Sequence, residues 1–301
     1  RDKTRSVEIA FYGGSFTGLP KEEQERLLAW GHDHIRQGQV AAMRISARPD
    51  QLDEKKLELL RAGGVRTIEI GAQSFNDRVL RDANRGHDAE AIVRALQCIQ
   101  SFGLKSGLHL MAGLPGDTKE RFLQTLDRTV ELRPDTARIH PVLVFRDTRL
   151  AEEFRAGRYR PLSLEEAVDW CRLAWQTLAP AGISIIRFGL QPTPEMRQEG
   201  AVLAGPRHPS FGSLVYSAVF YSAIEKLLED APRTAKMLRF AVADRDQSHF
   251  RGFGGKNIQA IKNLYPDAQI VIDFTRGQHP GHISLEVEKG KPICFNIPGI
   301  I

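Results

Sequence analysis

Two glycines stand at a position where a parallel sheet could present them to a ligand. Gly13 and Gly14 directly follow the apolar run 7–12, and paired glycines after a strand let a ligand approach the backbone closely. Their free amide and carbonyl groups, with the hydroxyls of Ser15 and Thr17, could bind a polar group such as an amino-acid moiety. A tight turn between a strand and a helix is the alternative interpretation.

Polar residues also lie in and after the next two apolar runs. Pro49 forces Arg48 into extended geometry, so we expect Ser46 and Arg48 at the carboxyl end of the second strand. Glu69 lies inside an apolar run, where an unpaired carboxylate is costly. It is therefore a candidate ligand-binding residue, and an ion pair with an arginine such as Arg44 or Arg48 is the alternative.

Later runs add further polar groups. Gln73 ends the third run, and His109 alternates with leucines in the fourth, so its side chain should point away from them into a barrel interior. A purely structural role for this histidine is the alternative. The segments 139–148 and 186–191 carry polar residues at the ends of the fifth and sixth runs. Because the carboxyl ends of parallel strands share one rim, these side chains should converge there.

The elements that position these residues alternate along the chain. From Val7 to Phe188, short apolar runs are separated by amphipathic helical stretches, which predicts βαβ units and a parallel sheet. Six runs fit either an open doubly wound sheet or part of a β/α barrel, and periodicity alone does not separate the two. The six runs are residues 7–12, 41–46, 67–71, 106–111, 137–143 and 184–188.

Several helix ends are also marked. Ser163 followed by Glu166 is typical of a capping box, in which each side chain satisfies a backbone amide of the other residue. Gly63, Gly103 and Gly182 each come just after a helical stretch, where we expect a left-handed residue that ends the helix.

Composition limits the class of protein. The 301 residues are 42% hydrophobic and 26% charged, as in soluble globular proteins. The apolar runs are too short to cross a bilayer and the first residues carry no signal-peptide pattern, so we expect no membrane association and a cytoplasmic location. Cys98, Cys171 and Cys294 are far apart, which argues against a disulfide framework and leaves no metal-ligand spacing in this chain.

Composition shifts predict the domain organisation. Residues 1–190 form a first α/β domain, residues 191–230 a proline-rich connector and helix, and residues 231–301 a small basic α+β domain. The last segment has ten Lys/Arg against six Asp/Glu, a net charge of +4 out of +5 for the whole chain. A basic small domain suggests a polyanionic partner, and a mildly basic solvated face is the alternative.

Six motifs, taken in order over Val7–Gln191, resemble one known family. That family is the radical S-adenosylmethionine (SAM) domain of the catalytic Elongator subunit and its shorter bacterial relatives. The resemblance implies a partial (β/α)6 barrel with SAM in its mouth and a 4Fe–4S cluster. The motifs are FYGGSFTG at 11–18, SARPD at 46–50, IEIGAQS at 68–74, RGH at 85–87, LMAGLPGD at 110–117 and HPVLVFRDT at 140–148.

The resemblance also implies how the cofactor is held. One glycine pair binds the SAM amino group, the second and third motifs contact the ribose and carboxylate, and the fourth and fifth strands face the adenine. Glu69 is counted within the same site. By position, the residues are Gly13 and Gly14 for the amino group, Ser46, Arg48 and Gln73 for the ribose and carboxylate, and His109, Pro141, Val142 and Leu143 for the adenine.

The chain departs from the family in one respect. The family holds its cluster with a three-cysteine loop after the first barrel strand, and no such loop occurs here. Either an N-terminal segment is missing from this sequence or the chain is a degenerate homologue. The otherwise intact SAM motifs favour a missing segment, so we expect the cluster ligands there. A flavodoxin or ferredoxin would then be the electron donor.

The small C-terminal domain resembles a KH domain. Gly252 and Gly255 frame a Gly-x-x-Gly turn that leads into a helix, a motif that clamps a nucleic-acid backbone in KH domains. Arg251 and Lys256 flank the turn, and Lys262 lies further along the helix. Helix-start amides with nearby cations make a phosphate site, which predicts RNA binding. A small α/β cap without such a role is the alternative.

Together these features predict a radical SAM enzyme that generates a 5′-deoxyadenosyl radical and modifies RNA, in particular tRNA. One alternative is a non-catalytic protein that binds SAM or RNA. A radical SAM enzyme acting on a small molecule such as a porphyrinogen is another.

Overall fold

Six strands build a curled half-barrel. The computed structural model describes residues 7–191, 193–194, 196 and 198–300. The strands are β1 (Glu8–Phe11), β2 (Ala42–Ala47), β3 (Val65–Gln73), β4 (Lys105–Ala112), β5 (Thr136–Pro141) and, later in the chain, β7 (Ser184–Phe188). They lie in the order β1-β2-β3-β4-β5-β7 and run parallel. Each coincides with a predicted run, and the predicted partial (β/α)6 barrel is confirmed.

Helices cover the outer face of this sheet. Strand residues alternate between two faces, and the outward set, such as Ile68 and Leu108, is fully buried. It packs against helical residues such as Leu57 and Leu96, so the apolar half of each strand forms the core. The helices are α1 (Lys21–Arg36), α2 (Glu54–Ala62), α3 (Asp77–Asp82), α4 (Ala89–Ser101) and α5 (Lys119–Leu132).

The chain divides into two units. The first runs to Val142 and takes in Ile183–Arg187, and the second comprises Leu143–Gly182 and the chain from Phe188 onward. The boundaries predicted near residues 190 and 230 stay a prediction. In the described part of the chain, no helix combines the length and the hydropathy that a membrane span requires.

The second unit is an α+β structure. Its elements are β6 (Val144–Phe145), α6 (Arg149–Arg155), α7 (Leu164–Leu178), β8 (Val202–Ala204), α8 (Phe211–Leu228), β9 (Met237–Ala243), α9 (Gln247–Arg251), α10 (Lys256–Leu264), β10 (Gln269–Thr275), β11 (His282–Val287) and β12 (Ile293–Asn296). The last four strands form a sheet in the order β10-β9-β11-β12, with β9 and β10 parallel and the other pairs antiparallel. The predicted strand, glycine turn, helix and strands all occur, and the KH-like assignment remains a prediction.

Local sequence signals explain most helix ends. Ser163 caps α7 through the expected capping box with Glu166, in which each side chain accepts a hydrogen bond from the other's backbone amide. Gly103 and Gly182 have the expected left-handed φ. The expectation for Gly63 is wrong because its amide still bonds to the carbonyl of Leu59, which extends the helical turn by one residue. Its neighbour Gly64 takes the positive φ of 100°.

Candidate functional site

The concave face of the half-barrel carries polar side chains from neighbouring strands. In register, Glu69 of β3 lies between Ser46 of β2 and Gly107 of β4. A Cβ atom at Gly107 would stand 2.9 Å from the Cγ of Glu69 and 2.7 Å from the hydroxyl of Thr136. Glycine at position 107 therefore leaves room for the Glu69 side chain on the concave face.

Glu69 is fully buried and accepts hydrogen bonds from four side chains. Its Oε1 accepts from Arg44 Nη1 and from the Tyr12 hydroxyl, each at 2.7 Å. Its Oε2 accepts from Arg138 Nε at 2.7 Å and is also hydrogen-bonded to Nε2 of His109. Burial alone would raise the pKa of this carboxyl, but the four donors hold it well below its usual range. Glu69 is a charged centre that orients its neighbours.

The donors around Glu69 are themselves connected. Arg138 Nη2 donates to the Tyr12 hydroxyl at 2.6 Å, and its guanidinium lies 5.0 Å from the centre of the Tyr12 ring. Arg44 also pairs with Glu8 at 2.9 Å. Burial and the neighbouring Glu69 raise the pKa of Tyr12 to about 12, so its phenol stays protonated. The network balances two carboxylates against two guanidinium groups.

The sequence offered an ion pair with Arg44 or Arg48 as the alternative for Glu69. The structure shows the pair with Arg44, whereas Arg48 pairs with Asp50. Two members of the network, Arg138 and Tyr12, are functional candidates that sequence reasoning missed. Tyr12 stood beside the glycine pair and Arg138 inside a predicted strand, but nothing in the sequence indicated that they meet.

The glycine pair opens the rim at the carboxyl end of β1. Gly13 and Gly14 have φ values of +115° and +146°, and a Cβ atom at either would meet nothing within 4 Å. The next residue, Ser15, accepts a hydrogen bond from the backbone amide of Arg48 at 3.1 Å. The structure therefore brings the predicted amino-group site next to the second predicted motif. Arg48 itself pairs with Asp50 at 2.8 Å.

A second cluster lies at the ends of β2 and β3. Gln73 is buried with a left-handed φ of 70°, a strained conformation for a residue other than glycine. Arg48 Nη2 donates to the carbonyl of Arg85 at 3.2 Å. The Nε of Arg85 and the Nδ1 of His87 are buried without a hydrogen-bond partner among the described residues. Sequence reasoning quoted the Arg-Gly-His motif at 85–87 but gave it no role.

Both groups of this motif have shifted pKa values. Burial lowers the pKa of Arg85, and the like charge of Arg48 lowers it further. Burial also lowers the pKa of His87, although its Nε2 donates to the carbonyl of Ala72 at 3.4 Å. With the proton on Nε2, the neutral His87 offers Nδ1 as a buried acceptor, and Arg85 offers Nε as a buried donor.

The remaining predicted residues lie further along the sheet. The ring centres of His109 and His140 are 5.7 Å apart, so the fourth and fifth strands meet as expected on the concave face. Pro141 and Val142 at the end of β5 are buried, and Leu143 begins the second unit. After β4, Asp117 accepts hydrogen bonds from the amides of Gly113 and Thr118 at 3.3 and 3.0 Å, and burial raises its pKa to about 6.

The described residues do not fit an iron–sulfur cluster. No group of three or more His, Cys, Asp or Glu among them could hold a metal ion. All three cysteines are free, and burial raises the pKa of the Cys171 thiol, which disfavours the thiolate that binds iron.

The residues predicted to bind RNA lie on and around α10: Arg251, Gly252 and Gly255 precede the helix, Lys256 begins it and Lys262 lies in its last turn. Gly252 and Gly255 have positive φ values of 76° and 78°, and a Cβ atom at Gly252 would collide with Asn257 at 2.7 Å. Arg251 lies over the ring of Phe274 at 5.1 Å.

A curled sheet of parallel strands with a polar concave face and a glycine-rich rim is the architecture of a radical SAM half-barrel. The model of the Radical SAM superfamily matches residues 2–129, and that of the Radical_SAM C-terminal domain matches residues 134–219. The chain belongs to the radical SAM superfamily. The prediction of an enzyme is confirmed at the level of this class.

The chain is similar to part of the length of two curated relatives. A tRNA uridine(34) acetyltransferase of Methanocaldococcus infernus is 33% identical over 186 residues, which is 55% of this chain and 35% of the relative. Human Elongator complex protein 3 is 30% identical over 183 residues, 54% of this chain and 34% of the relative. The matched part thus spans about a third of each relative.

A solved structure supports the same family. The Methanocaldococcus infernus Elp3 with residues 1–46 deleted superposes with a TM-score of 0.64 and 26% identity, over 71% of this chain and 53% of that chain. The resemblance to the Elongator catalytic subunit and its relatives is thereby confirmed.

Proposed function

We propose that this chain is the SAM-binding part of a radical SAM enzyme that modifies RNA, with tRNA as the substrate class. The observation that carries the proposal is the pair of buried groups without a hydrogen-bond partner among the described residues, Arg85 Nε and His87 Nδ1. Arg48 links them to the glycine turn, since its side chain donates to the carbonyl of Arg85 and its backbone amide donates to Ser15. Arg85 Nε is a donor and His87 Nδ1 an acceptor, which suits the carboxylate and the ammonium group of an α-amino acid. The methionine moiety of SAM has both groups.

Charge supports an anion at this position. Arg48 makes a bidentate ion pair with Asp50, and its charge still lowers the pKa of Arg85 by repulsion. A bound carboxylate would relieve this repulsion and give Arg85 a charge-assisted hydrogen bond. Gly13 and Gly14 would hold the amino group, Ser46 and Gln73 the ribose, and His109 with the backbone of Pro141–Leu143 the adenine.

The Glu69 network would serve this site by orientation. Because Glu69 accepts from Arg44, Arg138, Tyr12 and His109, each of these side chains is held in one position before a ligand arrives. The protonated Tyr12 phenol and the His109 ring would then face a ligand without reorganising. Glu69 contributes to binding through these neighbours.

In the proposed enzyme, SAM together with a 4Fe–4S cluster would supply a 5′-deoxyadenosyl radical. The cluster ligands expected in an N-terminal segment, and a flavodoxin or ferredoxin as electron donor, stay part of the proposal. The tasks of the described residues are to bind and orient SAM and to exclude water around it.

RNA as the substrate class rests on the relatives and on charge. The matched proteins include a tRNA uridine(34) acetyltransferase, and the basic excess of this chain lies in residues 231–301. Acetyl transfer is not included, since the match covers about a third of that relative. A non-catalytic binding protein and a porphyrinogen-modifying enzyme remain the alternatives, and no observation on this structure favours either.

The proposal is tested by SAM binding to the chain itself. Isothermal titration calorimetry with SAM should give saturable one-site binding that weakens when Gln73→Ala or Arg48→Ala is introduced. S-adenosylhomocysteine and 5′-methylthioadenosine should report separately on the amino-acid and nucleoside halves. The absence of saturable SAM binding, or binding that neither variant affects, would contradict the proposal. A tRNA gel shift tests the substrate class independently.

A further inference from the structure

A groove in the second unit has no role in the SAM site. It lies between α7, α8 and the start of α10 and encloses about 410 Å³. Its lining includes Val168 of α7, Ala218 and Tyr221 of α8, and Phe253 and Lys256 of the glycine turn and helix. The α7 side also carries charged residues, namely Glu165 and the ion pair of Asp169 with Arg172. All of these residues belong to one unit.

We propose that this groove receives one unstacked base of a single-stranded RNA segment. The inference rests on the proposed function, because it names the place where an RNA substrate is gripped. Three features carry it: an exposed aromatic wall, a floor in which two small residues leave depth, and a lysine at the rim that forms no ion pair with a described residue.

The aromatic wall is the first feature. Phe253 lies on the turn between α9 and α10 and is 47% exposed, so its ring is accessible to a ligand. Its ring stands edge-on to His208 with centroids 5.1 Å apart, and Tyr221 lines the same groove. Bases that leave their helical stack are commonly held against such aromatic rings.

The floor and the size of the groove are the second feature. Along α8, Leu214, Ser217, Ala218 and Tyr221 follow one face at helical spacing, and the two small residues leave depth between the larger ones. The volume suits a single nucleoside. A bound helix from a protein partner would need a groove several turns long.

The rim supplies charge on the side of the glycine turn. Lys256 forms no ion pair with any residue that the structure describes. Next to it, a Cβ atom at Gly254 or Gly255 would meet nothing within 4 Å, so a nucleic-acid backbone could approach the turn closely. A base in the groove would place its phosphate within reach of this ammonium group.

The test measures binding of fluorescent single-stranded RNA octamers to the intact chain by anisotropy. Phe253→Ala should weaken binding about tenfold, because removing an aromatic ring that stacks on one base typically weakens binding by a factor of that order. Phe253→Trp should retain wild-type affinity because it preserves the ring. Leu264→Ala is the matched control, since Leu264 is a comparably exposed apolar residue on α10 outside the groove.

Octamers with a single abasic position provide the second arm. At the position whose base occupies the groove, the abasic RNA should bind wild type about tenfold more weakly, and Phe253→Ala should cause no further loss. Equal losses for Phe253→Ala at every abasic position, or wild-type affinity in that variant, would overturn the inference. So would a monomer–dimer equilibrium that shifts with Phe253→Ala, because the groove would then bind a second copy.

The same variants separate this inference from the proposed function. Phe253→Ala should bind SAM as wild type does, because none of the residues that line the groove is assigned to the SAM site. RNA binding that is insensitive to Phe253 with SAM binding intact would overturn the groove alone. Groove-dependent RNA binding without SAM binding would support the groove and contradict the proposed enzyme.

Discussion

Arg138 donates from its Nε to Oε2 of Glu69 over 2.7 Å, although the two residues lie on strands separated by β4. The bond crosses the concave face, and Arg44 reaches the other oxygen of the same carboxylate from the opposite side. A single buried carboxylate thus joins four strands, β2 to β5, and pairs with two guanidinium groups, of which Arg44 also pairs with Glu8. Its removal should affect both stability and ligand binding.

The first prediction concerns stability. Glu69→Gln should lower the free energy of unfolding by about 3–5 kcal/mol at pH 7, because Arg44 and Arg138 would lose the buried charge between them. Denaturation in guanidinium chloride followed by circular dichroism measures it. Glu23→Gln is the control, since Glu23 pairs with Arg26 on the exposed surface of α1, and it should change stability little. Equal effects of the two substitutions would refute the prediction.

The same carboxylate should make stability depend on acid pH. The pKa of Glu69 is lowered in the folded chain, so its contribution is fully present above the unfolded value of 4.5 and is lost as the pH falls toward the folded value. The stability difference between wild type and Glu69→Gln should therefore be constant from pH 7 to 5 and shrink below about pH 4.5. Urea denaturation at pH 7, 5, 4 and 3 provides the measurement. A difference that stays constant down to pH 3 would show that Glu69 does not titrate this way.

How far the sequence predicts this arrangement differs between fold and site. The strands follow from apolar runs alternating with helices, because each strand must bury one face under a helix. Periodicity did not distinguish a barrel from an open sheet, since both have the same alternation, and the motif resemblance decided that point. The left-handed residue after α2 is Gly64 and not the predicted Gly63, because the helical turn continues through the first of the two glycines.

The Glu69 network was beyond sequence reasoning for a physical reason. Its partners lie 25 to 69 residues away along the chain, and which residues meet depends on strand order and register. Arg44 was named as a candidate partner, but Arg138 was not, because no local pattern links it to Glu69. The unsatisfied atoms of Arg85 and His87 likewise emerge only from three-dimensional burial.

Asp117 offers a pH dependence of opposite sign. Burial raises its pKa to about 6 from an unfolded value near 3.8, so its stabilising contribution is complete below pH 3.8 and is lost as the pH rises through 6. Asp117→Asn, which keeps an oxygen to accept from Gly113 or Thr118, should become more stable than wild type by up to about 2 kcal/mol at pH 7. At pH 3.5 the two proteins should have similar stability. Thermal unfolding at the two pH values tests this, and a variant that is less stable than wild type at pH 7 would contradict it.

The rim cluster predicts a specific loss of SAM affinity. Arg85→Gln should weaken SAM binding by about tenfold or more, because a buried charge-assisted hydrogen bond to the carboxylate would be lost. The loss should be much smaller for 5′-methylthioadenosine, which lacks the amino-acid moiety. Arg81→Gln, at an exposed position on α3, should bind both compounds as wild type does. Equal losses for the two ligands would place Arg85 away from the carboxylate.

The glycine turn predicts a salt dependence of RNA binding. A lysine that contacts one phosphate of a single strand contributes roughly 0.7 to the slope of log K against log salt concentration. Lys256→Gln should reduce the slope by about that amount and weaken binding at low salt, because Lys256 stands at the rim of the groove beside the turn. Lys226→Gln removes the same charge from an exposed position where the ammonium lies 5.4 Å from the ring of Phe295. It should leave the slope unchanged.

Anisotropy titrations of a single-stranded octamer at salt concentrations from about 50 to about 200 mM measure the two slopes. Equal slopes for wild type and Lys256→Gln would mean that Lys256 contacts no phosphate. A reduced slope in the Lys226→Gln control would mean that the slope reports the net charge of the protein and not a contact at the turn.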